Sequence, residues 1–91
     1  MAELLAPEGK LDVTAVTALY AQLVARQGCD IVLDFESVTQ IGALCLQTCL
    51  AAARSARLAQ NSFEIINVID PVLNQLSSMG FTPETLAEGG I

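Results

Sequence analysis

CDIVLDFESVTQIGALCLQTCL, residues 29–50, decides the fold. Its apolar core Ile31-Val32-Leu33 lies between Asp30 and Asp34 without alternation, the pattern of a strand buried on both faces. Glu36-Ser37 supplies a loop, VTQI (38–41) a second extended run, and Gly42 opens an Ala- and Leu-rich segment that reaches about Arg57. On a 3.6-residue period Leu46, Cys49, Leu50, Ala53 and Arg57 share one face, predicted to lie on the sheet. Leu44 points nearly opposite, on a stripe with Gln47, Thr48, Ala51 and Ser55. A strand feeding a helix through a short junction is where α/β proteins place chemistry or recognition. This junction carries neither acid, base nor hydroxyl at residues 41–45, so its function is expected to come from shape.

Working outward, AELLA (2–6) and Lys10-Leu11 predict two short strands separated by Pro7 and the turn-like Glu8-Gly9. Asp12 is a suitable N-cap for a helix in which Val16, Leu19, Tyr20 and Leu23 recur at helical spacing, with Gly28 as its stop. C-terminal to the long helix, Asn61-Ser62 turns into the strand SFEIINVI, whose predicted core is Phe63, Ile65 and Ile66. Asp70-Pro71 signs a helix start, and Gly80 followed by Phe81 signs its end. TPETLAEGGI is expected to hold one more helical turn around Pro83 to Leu86 before fraying. Strands alternating with helices at this spacing predict an α/β sandwich built on a small, mostly parallel four-stranded sheet with three to four helices, in a single domain spanning 1–91.

Composition limits the function. Ten acidic residues against four basic ones give a net charge of −6, which disfavours nucleic acid and anionic membranes as partners. The chain has no histidine, the commonest general base and metal ligand, so no catalytic residue, metal ligand or cofactor-binding residue is assigned and an enzyme is not expected. No apolar run reaches the roughly 20 residues needed to span a bilayer, which excludes direct membrane insertion. Three cysteines without CxxC spacing, and no signal-peptide pattern, predict a reduced, cytoplasmic protein.

Residues with chemical potential have plainer roles. Cys45 and Cys49 are neighbours on one helix, but Cys49 reads best as a small buried hydrophobe. Asp34, at a strand's carboxyl end, is expected to cap or hydrogen-bond rather than to accept phosphate or bind Mg²⁺. Arg54 and Arg57 meet the negative end of the long helix's dipole. Thr39-Gln40-Ile41-Gly42 presents amide groups at a helix N-terminus, a weak anion site without a GxGxxG or Walker pattern. A small-ligand binder using Asp34 and Thr39 is the least favoured reading.

Taken together, GKLD (9–12), IVLDFESVTQI (31–41) with a helix starting there, EIINV (64–68), DPVLNQL (70–76) and the pair Gly80-Phe81 resemble a STAS domain, the sulphate transporter and anti-sigma factor antagonist family, over nearly the whole chain. In that family the helix typically starts with Asp-Ser-Ser-Gly or Asp-Thr-Ser-Gly, where a partner kinase phosphorylates a hydroxyl and switches binding off. The corresponding positions here are Gly42, Ala43, Leu44 and Cys45, so the switch residues are missing and Leu44 stands where the phosphate would be carried. The resemblance implies a non-enzymatic signalling adaptor that binds a histidine kinase or anti-sigma-type ATPase domain without a phospho-switch, in a setting such as bacterial chemotaxis. Gln40, Gly42, Ala43, Leu44, Gln47 and Thr48 are the expected partner-binding residues, on a protein that is a monomer or weak dimer. The alternative is the cytoplasmic STAS subunit of a lipid-transporting ABC complex, although such subunits tend to keep a threonine where this chain has Ala43.

Overall fold

A computed structural model describes residues 2–89 of the 91-residue chain. Five strands, β1 (Glu3–Leu5), β2 (Gly9–Leu11), β3 (Ile31–Asp34), β4 (Val38–Ile41) and β5 (Phe63–Ile66), combine with four α-helices: α1 (Val16–Ala25), α2 (Ala43–Leu58), α3 (Asp70–Ser78) and α4 (Pro83–Ala87). The α/β architecture expected from the sequence is therefore present. Its sheet, however, has five strands and comes in two pieces, β1-β3-β5 and β2-β4, with every strand pair parallel.

The division has a local cause. β1 and β2 run beside β3 and β4 respectively, with Glu3 opposite Ile31 and Gly9 opposite Val38. Between the members of each pair both chains leave the extended path: Pro7 lacks the N–H a ladder needs, and residues 35–38 turn, Val38 N–H donating to Phe35 O at 3.0 Å. The parallel ribbon thus bends midway. Phe35 fills the bend and is fully buried.

β3 is the central strand of its sheet, but it is buried on one face only: Val32 is half-buried on a face it shares with exposed Leu4 and Glu64, so the continuous apolar run does not mark a strand covered on both sides. Ile31, Leu33 and Phe35 are buried, and Leu33, at 0% exposure, sits between Leu5 and Ile65 on its neighbours. Core-facing side chains of α2 (Leu46, Cys49, Leu50, Ala53) complete the interior, joined by Cys45 and Ala56. Arg57, placed on that face by period alone, is exposed instead. Its guanidinium reaches Ala87 O at 3.5 Å while Arg54 Nε donates to Gly89 O at 2.9 Å, so the two arginines tie the end of α4 to α2.

Two other expectations are corrected. Tyr20 is 61% exposed, because only Leu19 and Leu23 of α1 enter the core. Ile66 is 38% exposed, since along β5 it alternates onto the same outer face as exposed Glu64, while Phe63 and Ile65 face the core, and the strand ends there as Asn67 turns left-handed at φ 57°. Asp12 caps the 3₁₀ turn Val13–Ala15 that precedes α1, its Oδ1 accepting from Thr14 N–H at 3.0 Å. α3 ends as predicted: Gly80 has φ +87°, its N–H donates to Ser77 O, and Phe81 N–H donates to Leu76 O, a Schellman closure. The expected last turn is α4, capped by Thr82 through Thr85 N–H at 3.1 Å. The expected fraying beyond it reaches residues 90–91, which lie outside the described residues.

Candidate functional site

The β4–α2 junction brings the six expected partner-binding residues onto one continuous segment. Gln40 is exposed on β4, and Gly42 is the N-cap of α2 with extended backbone (φ −98°, ψ 171°) and no side-chain cap. Ala43 and Leu44 form the exposed start of the helix, and Gln47 and half-buried Thr48 follow one turn later. Leu44 is 55% exposed, so the helical phase read from the sequence holds. Thr48 Oγ1 donates to Leu44 O at 2.9 Å, which fixes its hydroxyl inside the helix surface.

Three elements hold this junction from behind. Gly42 N–H donates to Leu11 O at 2.9 Å, Cys45 Sγ donates to Asp12 O at 3.4 Å, and Ile41 N–H donates to Gln75 Oε1 at 2.7 Å. Gly42 lies close against the end of β2, where an added Cβ would stand 3.5 Å from Leu11 O. The Gln75 contact comes from α3 and was not legible in the sequence, because a helical glutamine carries no sign of which distant amide it meets. These bonds also correct the anion reading of residues 39–42: the amides of Ile41 and Gly42 are already engaged. What remains open is the first turn of α2, with no acidic residue to offset its positive end.

The side-chain hydrogen bond from Thr14, and then its backbone N–H, hold the Asp12 carboxyl below its ordinary value. Burial, then the charge of Asp12, raises the Cys45 thiol, and burial pushes Cys49 up to about 12. Both are therefore neutral thiols at physiological pH, poor nucleophiles and poor metal ligands. Among the described residues no group of three His, Cys, Asp or Glu side chains is placed to hold a metal ion. Asp34 Oδ1 accepts from Glu36 N–H at 3.0 Å and from Asn67 Nδ2 at 3.2 Å, so it closes the turn after β3, as a capping residue does. No helix among the described residues is long and apolar enough to cross a membrane.

Alongside the junction runs a feature that the sequence reading missed. α1 and α2 leave between them an open groove of about 620 Å³, walled by Tyr20, Val24, Leu44, Thr48, Ala51 and Ala52. Its origin is a size mismatch. α1 presents Val16, Tyr20 and Val24 at four-residue steps, while α2 opposes them with small side chains that cannot fill the space. Two such stripes, large against small, are the signal that was present in the sequence.

No protein family matches this chain by sequence, and no curated protein does either.

Proposed function

We propose that this protein is a non-enzymatic, STAS-like signalling adaptor that docks a histidine kinase or anti-sigma-type ATPase domain through the β4–α2 junction, independently of phosphorylation. The observation that carries the reading is Leu44: a large apolar side chain, 55% exposed, in the first turn of a rigidly held helix, at the place where the family resemblance puts a phosphorylated hydroxyl. An exposed leucine with alanine and glutamine around it suits an apolar anchor with a polar rim.

The test is Leu44→Glu, used beside wild type as bait against native extract and then in titration calorimetry with the kinase or ATPase domain recovered. A carboxylate near the positive end of α2 is compatible with folding, so the melting temperature should stay at or slightly above that of wild type. Binding should weaken by about 2 kcal/mol, roughly thirtyfold, as the anchor's buried area is lost and a charge must be desolvated. Equal affinity with a normal melt would remove Leu44 from the interface and with it this reading.

A further inference from the structure

The α1–α2 groove has a charge character unlike the chain around it. Of ten carboxylates in the sequence none lines it, whereas Arg26, one of only four cations, does. Arg26 stands just after the C-terminal end of α1, together with Gln27 and across from Asn61, while Val16, Tyr20 and Leu44 make the opposite end apolar. The groove is thus cationic at one end only, with Gln47, Thr48 and Ser55 adding neutral polar groups along its α2 wall.

Arg26 is also incompletely satisfied. Its Nη1 donates to Gln22 O at 3.0 Å, but its Nε is buried and has no hydrogen-bond partner among the described residues. A guanidinium is always charged, and its planar fork matches a carboxylate through two parallel N–H···O bonds. The Gln22 contact is solvent-exposed, so exchanging it for a carboxylate acceptor costs little.

We propose that this groove binds a small amphiphile with a single carboxylate head and an apolar body, such as a medium-chain fatty acid. The head pairs with Arg26, and the body lies between Tyr20 and Val24 on one wall and Ala51 and Ala52 on the other. The volume is within the range of small-molecule sites, which combine mainly apolar walls with a few fixed polar groups. A lone cation with an unpaired donor at one end selects an anionic head over a neutral or cationic one. This inference goes beyond the adaptor reading and uses residues other than Leu44 for its test.

The experiment is titration of the protein with decanoate below its micellar concentration, followed by calorimetry and by amide chemical shifts, with decanol and decyltrimethylammonium as comparators. Saturable one-to-one binding is expected, with shifts confined to residues 16–28 and 44–61, and with both comparators at least tenfold weaker. Arg26→Gln should lower decanoate affinity about tenfold while leaving decanol unchanged, and Ala51→Trp, at an exposed position, should block the groove with an unaltered melt. Decanoate that binds no tighter than decanol to wild type, or fails to saturate, overturns the proposal without any variant being needed. So does a wild-type dimer in sedimentation that Ala51→Trp converts to monomer, because a second copy would then be the occupant.

Discussion

Leu33→Ala is the sharpest test of how this fold is held. Leu33 is fully buried at the centre of β3, flanked in register by Leu5 and Ile65. The substitution removes three carbons; at about 0.8 kcal/mol each the lost transfer energy is about 2.4 kcal/mol. The cavity adds to this, because a central strand paired on both sides cannot collapse inward, so the total should be about 3–5 kcal/mol. For a domain of this size the whole stability is about 5–14 kcal/mol. Leu4→Ala is the internal control: the neighbouring β1 residue is 62% exposed and should cost at most about 0.5 kcal/mol. Urea unfolding followed by far-UV circular dichroism should show the midpoint falling by about 1–5 M for Leu33→Ala and barely moving for Leu4→Ala, given slopes of about 1–3 kcal/mol/M. Equal small shifts for both would mean that β3 is not the central strand.

Two further outcomes follow from the junction and the helix core. Gln75→Ala leaves the Ile41 N–H without its acceptor in a half-buried place, so stability should fall by about 1–3 kcal/mol, whereas exposed Asn74→Ala should change it little; a silent Gln75→Ala in the same urea assay would show that water replaces the amide without loss. Cys29 is exposed and should react promptly with a thiol reagent at pH 8, while Cys45 and Cys49 should react only after denaturation. Because the folded Cys49 thiol is pushed from its ordinary value of 9.0 up to about 12, the native state keeps a proton that the unfolded state loses in that window. Its contribution is therefore full below pH 9 and declines as pH rises toward 12, and Cys49→Ala should flatten that alkaline fall in urea midpoints.

Hydropathy pattern carried most of the architecture. Ile31-Val32-Leu33 announced the central strand through its apolar run, although only the Ile31 and Leu33 face is buried and Val32 looks out beside exposed Leu4 and Glu64; Gly80-Phe81 announced the end of α3 because a left-handed residue followed by an apolar one is a local device. The phase of α2, and with it the exposure of Leu44, was legible for the same reason. What escaped was pairing across distance. Period places a side chain on a face without saying what lies opposite, so it puts Tyr20 on the buried stripe of α1, whereas α2 leaves an open groove beside it. Arg54 and Arg57 looked like dipole partners until α4 proved to end beside them. The split of the sheet depends on two bends, at Pro7 and at residues 35–38, coinciding in space, which neither segment states alone. The candidate site was legible as a set of six residues on one segment; its anchoring by Gln75 was not.

The parallel register also sets a timetable for the newly made chain. Among the described residues β1 pairs only with β3, and β3 pairs next with β5, so the three-stranded sheet cannot close until residue 66 has left the ribosome. At about 5–20 residues per second, β1 waits roughly 3–12 seconds for the last strand. From the synthesis of β3 to that of β5, about 2–6 seconds at the same rate, one edge of Ile31–Leu33 is open, an apolar ladder ready to pair with another nascent chain. Asp30 and Asp34 bracket this run, and their charges oppose such pairing while β5 is absent. Once it arrives, Asp30 Oδ1 accepts from Ser62 N–H at 2.8 Å and Asp34 Oδ1 takes Asn67 Nδ2. The same two carboxylates that guard the unfinished edge become the clasps that fasten its final strand.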